Sequence, residues 1–226
     1  MRINRLVWCA LTALFLSNVG YAQNLITNPS FESATISPWV ASGYPGAWTT
    51  TNYGGAGYPG PHTGTFYADN GCVGAGCIAA DSSPTGGWMY QDIPTTPGTS
   101  YTLTFYYAPG TGSGGAELQV LWGPTSTPLT TGGAGTCTGS CFYSNTTIGS
   151  LAYTLVTRTV VATATSMRLE FLGRQDPTES ALDDVSLVAV VVPVTGITGI
   201  PALGTFGMLI LACGLLCFGL KAVRRA

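Results

Sequence analysis

Apolar and polar residues alternate with a period of two through much of the middle of this chain. In Thr99 to Ala108, TSYTLTFYYA, residues Tyr101, Leu103, Phe105 and Tyr107 share one face, and Thr102 and Thr104 share the other. Glu117 to Trp122 repeats the pattern with Leu118, Val120 and Trp122 together, and Met167, Leu169 and Phe171 oppose Arg168 and Glu170. Ala152 to Ala162 and Leu182 to Val190 are further strand candidates. Successive side chains of a strand point to opposite faces, so each run predicts a half-buried β-strand. Threonine and aromatic residues suit such a surface. Turn clusters separate the runs: Gly54-Gly55, Pro59-Gly60-Pro61, Pro97-Gly98, Gly112 to Gly115 and Gly132-Gly133. No segment between Gln23 and Val192 has a 3.6-residue period. Residues 23–192 therefore predict one all-β domain, an antiparallel β-sandwich, with Gly123 to Thr147 as a long loop or pair of loops.

The two ends follow other patterns. Arg2 and Arg5 precede an apolar run, Leu6 to Leu16, and the small residues Gly20 and Ala22 stand where a signal peptidase reads. Residues 1–22 predict an export signal removed after Ala22. At the other end, Ala202 to Leu220 is mostly apolar and is followed by Lys221, Arg224 and Arg225. As a helix, 19 residues cover about 28 Å, the thickness of a hydrocarbon core. Residues 202–220 therefore predict a transmembrane helix, 221–226 a basic cytoplasmic tail, and 193–201 the linker before them.

Charge sharpens this division. Only 8% of the chain is charged, and the formal net charge is −2. Residues 23–199 hold three bases against ten acids, a net of −7, while the other five bases lie at the ends. An acidic domain of this kind argues against a nucleic-acid partner. His62 is the one histidine, which excludes metal clusters and triads that need several. No G-x-S-x-G elbow occurs, and no spacing singles out a carboxylate pair among Asp69, Asp81, Asp92, Glu117, Glu170 and Glu179, so no catalysis is expected. Glu117 and Glu170 read as solvent-facing strand positions.

Four cysteines fall in the exported part: Cys72, Cys77, Cys137 and Cys141. Four cysteines allow three pairings. Export favours disulfides, and the short spacings in CVGAGC and CTGSC favour the local pairs 72–77 and 137–141. Trp39, Trp48, Tyr53 and Tyr58 cluster in a Gly/Pro-rich stretch, Pro38 to Pro61, that reads as loops. Exposed aromatic faces are what sugar C–H surfaces stack on, so these four are the candidate carbohydrate-binding residues, Trp48 and Tyr53 first. Trp88 lies just before a strand, whereas Tyr101 and Trp122 fit core positions.

Two resemblances add to this reading. NLITNPSFES (24–33), HTGTFYAD (62–69), MYQDIPTTPGTSYTLTFYY (89–107), AELQVLWG (116–123) and ALDDVSLV (181–188) together resemble galactose-binding-like jelly rolls found among carbohydrate-binding modules and bacterial surface proteins. That implies a jelly-roll sandwich that binds extracellular polysaccharide; the alternative is a structural or adhesive surface protein with no small glycan ligand. It also implies a structural calcium tying the first strand to the last, with Glu32 and Asp183 as ligands, Asp184 as second choice and carbonyls near Thr63 to Thr65. By simple alternation Asp183 shares a face with Val185 and Leu187, where a carboxylate is costly unless paired. The alternative is an ordinary hydrogen-bonded Asp. IPALGTFGMLILACGLLCFGLKAVRR, Ile200 to Arg225, resembles the IPTL-CTERM sorting tails of Gram-negative bacteria, relatives of the PEP-CTERM group. It implies a cell-surface or outer-envelope protein, held at the membrane or released by a sorting protease. Ala202 stands in place of the usual Thr, which leaves an uncut anchor open.

Overall fold

The computed structural model describes residues 23–42, 48–55, 57–71, 87–111, 115–133, 135–147, 149–176 and 178–191. The expected signal peptide, linker, membrane helix and basic tail, and the expected pair Cys72 and Cys77, lie outside the described residues.

Ten strands follow in chain order: β1 (Val40–Ser42), β2 (Thr49–Thr51), β3 (Tyr67–Asn70), β4 (Trp88–Pro94), β5 (Ser100–Ala108), β6 (Gly115–Pro124), β7 (Cys141–Asn145), β8 (Thr154–Val161), β9 (Ser166–Asp176) and β10 (Ser180–Ala189). They form two five-stranded sheets, β1-β4-β9-β6-β7 and β2-β3-β10-β5-β8, and every pairing is antiparallel. The architecture is a two-sheet sandwich of jelly-roll type, with no helix among the described residues. β5, β6, β8, β9 and β10 coincide with the five runs of alternating residues. β1 and β2 are short strands inside the stretch expected to be loop, and β7 is a strand inside the predicted long loop.

The core lies between the sheets. Met89 and Ile93 of β4, Leu118 and Val120 of β6, and Leu169 and Phe171 of β9 meet Leu103 and Phe105 of β5, Val156 and Val160 of β8, and Leu182, Val185 and Leu187 of β10. Phe105 and Phe171 meet edge to face across the sandwich, with centroids 5.3 Å apart. Burying one such side chain contributes roughly 1.5–3 kcal/mol.

The opening segment spans both sheets. The Asn24 side chain donates to Val185 O (3.1 Å) and accepts from Leu187 N (2.9 Å), which ties it to β10. Three residues later, Gln91 of β4 exchanges two hydrogen bonds with the Thr27 backbone, at 2.9 and 3.0 Å. Phe31 is then driven fully into the core, at a backbone φ of 59°.

Alternation fails at one place in β10. Asp183 lies opposite Tyr106, but Ser186 lies opposite Thr104, so one extra residue is inserted between them. Asp184 takes it up with φ 50°. This β-bulge puts Leu182 and Val185, three residues apart, in the same core, and it turns Asp183 to the outer face with Tyr106. The expectation that Asp183 shares the face of Val185 and Leu187 is corrected by that bulge.

Candidate functional site

The acids expected to hold calcium gather around the loop His62–Phe66. Asp183 is fully buried beneath that loop and accepts N–H groups from His62 (3.0 Å), Thr63 (3.2 Å) and Asp184 (2.8 Å). Burial pushes its carboxyl up to about 6, with the Thr63 N–H bond working against the rise. Glu32 accepts the N–H groups of Thr65 (3.0 Å) and Phe66 (2.9 Å). Gly64, at φ +62°, makes room for this, because a Cβ there would run into the Glu32 carboxyl. Asp184 lies 2.7 Å from His62 Nδ1 and accepts the Thr63 hydroxyl (2.8 Å), while the His62 ring stacks on Tyr106 at 3.6 Å.

A calcium cage needs six to eight oxygens turned inward. Here the loop turns N–H groups toward both carboxylates, and no three His, Cys, Asp or Glu side chains among the described residues could hold an ion. In this arrangement the carboxylates themselves stitch the loop to the opening segment and to β10.

The four candidate aromatics separate into two pairs. Trp48 is 2% exposed, its N–H donates to Gly87 O (3.1 Å), and Trp39 is 3% exposed between Phe31 and Phe171. Both belong to the core and present no face to a sugar, which corrects their expected place on exposed loops. The physical reason is that β1 and β2 bring their flanking residues in to close the sandwich. Tyr53 is 54% exposed and meets Tyr58 edge-on at 5.0 Å, so this pair does reach the surface. Nearby, Asp69 accepts the Thr49 hydroxyl (2.7 Å) and hydrogen-bonds the Glu179 carboxyl. Burial, with Asp69 adding to it, pushes Glu179 up to about 7. Two hydrogen-bonded carboxyls lie closer together than the spacing of about 5 Å or more that glycoside cleavage uses.

A richer surface occupies the outer face of the other sheet. In β4, Trp88, Tyr90 and Asp92 point away from Met89, Gln91 and Ile93. Directly across on β9, Glu170 faces Tyr90 and Arg168 faces Asp92. Trp88 and Tyr90 stack at 5.3 Å, and the Arg168 guanidinium lies 3.5 Å over the Tyr90 ring. Arg168 grips Asp92 with both arms of its fork (2.7 and 2.9 Å), and this bond to Asp92 raises its already high pKa.

The wall of this surface is the segment after β6. Its Leu129 is buried with Leu121 and Leu172 on the outer face, and Trp88 packs against them. A polar set pins the rest: Gln119 donates to Gly133 O (2.7 Å) and to Glu117, Thr131 donates to Gln119, and Gly135 N donates to Glu117 (2.7 Å). The disulfide Cys137–Cys141 closes its end, as the spacing of CTGSC suggested. Glu117 and Glu170 do point outward, but this wall buries both, which corrects their reading as solvent-facing.

Two open clefts result. One, of about 350 Å³, is lined by Thr125 to Leu129 with Arg168 and Glu170; the other, of about 320 Å³, is lined by Leu25, Thr27, Pro38, Val40, Tyr90 to Asp92 and Pro94. Arg168 lines the first and its partner Asp92 the second, so the clefts adjoin at that ion pair.

The fold is shared with carbohydrate-binding modules. TmCBM61, solved with β-1,4-galactotriose, is 15% identical and matches 75% of this chain and 100% of its own at a TM-score of 0.50. The CBM22-1–CBM22-2 tandem of Paenibacillus barcinonensis Xyn10C is 12% identical, with 74% of this chain matching 50% of the tandem at a TM-score of 0.50. No family model and no curated protein matches the chain. At such identities the likeness concerns the fold, and the chemistry has to come from this chain's own residues.

Sequence reasoning did not single out Tyr90, Asp92 or Arg168 as site residues. A signal was present: WMYQDI puts an Asp on the same strand face as two aromatics, which marks that face as the solvent side.

Proposed function

We propose that this is an exported bacterial surface protein whose jelly-roll domain binds extracellular polysaccharide without cleaving it, in the groove across β4 and β9. The observation that carries this reading is the outer-face set of Trp88, Tyr90, Asp92 and Arg168 between two open clefts. Aromatic faces and a few fixed polar groups are what sugar rings are held by. The sharing of the fold with carbohydrate-binding modules supports it. The ends of the chain supply the place: the signal at 1–22 exports the domain, and the tail from Ile200 anchors it to the membrane or hands it to a sorting protease. The exposed Tyr53–Tyr58 pair is a secondary candidate contact on the other sheet.

A glycan array of residues 23–195, run with calcium and with EDTA, tests the reading. Binding that Tyr90→Ala weakens supports it. A domain that binds no glycan and self-associates would instead favour a structural or adhesive role. Mass spectrometry of the native protein shows whether the tail after Pro201 is kept.

A further inference from the structure

The cleft beside the ion pair contains a buried acid of a different kind from the others. Glu170 is 4% exposed, and no described residue donates a hydrogen bond to it. The remaining buried acids are all engaged: Asp183 by three N–H groups, Glu117 by Gln119 and Gly135, Asp69 by Thr49. Buried polar groups normally find partners within the protein or its waters. Glu170 lines the open cleft instead, beside the hydroxyl-bearing residues Thr125, Ser126 and Thr127.

Its surroundings restrict what the cleft can accept. The charged groups acting on it are Arg168 on its own strand and Asp92 across on β4. β6 places Leu121 opposite it, and the wall adds only Thr125 to Leu129, which carry no charge. Arg168 has its fork on Asp92, so its charge in the cleft is already balanced by that carboxylate. An added carboxylate would meet Glu170 and Asp92 in a domain whose net charge is already −7.

We propose that Glu170 sets the specificity of the groove: its carboxyl accepts two neighbouring hydroxyls of a neutral sugar unit, and the cleft excludes acidic glycans. This rests on the groove being the binding face. A carboxylate accepts a pair of hydroxyl donors well, and charged acceptors make the stronger hydrogen bonds. Burial pushes the Glu170 carboxyl up to about 7, with the Arg168 charge opposing and Asp92 reinforcing the rise. The accepting form therefore gains population as pH climbs through neutrality, and sugar binding strengthens with it.

The test uses the full chain in detergent micelles, titrated with oligosaccharides of β-1,4-galactan, xylan and β-glucan as neutral probes and of polygalacturonate as the acidic one. Wild type is expected to bind a neutral probe about tenfold tighter at pH 8.5 than at pH 5.5, and to ignore polygalacturonate. Glu170→Gln is expected to lose about tenfold at pH 8.5 and to show a flat pH profile. If that variant does not fold, the wild-type pH profile decides alone, and a flat one overturns the proposal. A wild type that binds neutral probes no more tightly than Glu170→Gln does, or that prefers polygalacturonate, overturns the role of Glu170 while leaving polysaccharide binding intact. A wild type that binds none of the probes overturns both.

Discussion

On the outer face of one sheet, Asp183 lies under the His62–Phe66 loop and receives three N–H bonds; on the outer face of the other, Glu170 lies at similar depth and receives none from the described residues. Both are carboxyls that burial pushes up, to about 6 and about 7. The difference is what surrounds them. A loop whose N–H groups converge on an acid uses that acid to fix the chain. A cleft that brings hydroxyl side chains and an engaged arginine to an acid leaves its oxygens for something from outside. Burial by itself does not tell a structural carboxylate from a recognition carboxylate; the donors do.

The sharpest way to break this comparison starts with the core. Trp48→Ala should cost about 3–5 kcal/mol, because it opens a cavity in the core and removes one of the two hydrogen bonds to Gly87 O, so thermal melting of the variant should fall well below wild type. A small loss of stability together with lost glycan binding would return Trp48 to the site.

Asp183→Ala should come next. It leaves three N–H groups without their acceptor beneath the loop, worth about 3 kcal/mol, while glycan affinity in the groove stays within twofold. Equal loss of binding would show that the two faces are not independent. Tyr90→Ala should do the reverse: roughly tenfold weaker binding by titration calorimetry, from the lost stacking surface, with a smaller change in melting.

The effect of pH is expected to be more modest and has a definite sign. Asp183, Glu170 and Glu179 all have folded values above those of free carboxyls, at about 6, 7 and 7. Their contribution to stability is present in full below about pH 4, the range of the unfolded groups, and is lost as pH rises through 6 to 7. The melting temperature should therefore fall by a few degrees between pH 5 and pH 8, in opposition to the rise in sugar affinity. A melting temperature that climbs over this range would contradict the burial of these acids. Calcium against EDTA is the smallest expected effect, no shift in melting, since loop N–H groups already engage Glu32 and Asp183. A clear rise with calcium would restore the cation.

Much of the fold was legible in advance. The faces of β5, β6 and β9 follow from local alternation, and Tyr101, Leu103, Phe105 and Tyr107 are buried as their spacing requires. The Cys137–Cys141 pair is legible because its two members are neighbours in sequence. The site was less so. Trp48 and Tyr53 look alike in a Gly/Pro-rich stretch, and only β2, pairing with β3, separates the buried one from the exposed one. Arg168 and Asp92 are 76 residues apart, and nothing local announces their pairing.

The sequence by itself determined that residues 23–192 are strand-rich and carry an acidic excess, because composition and a two-residue period are local properties. The tertiary structure decided which acids are structural and which lie free in a cleft. It did so through the bulge at Asp183–Asp184 and through the wall folded over β6 and β9. Both depend on register between distant strands, which no single segment of the chain contains.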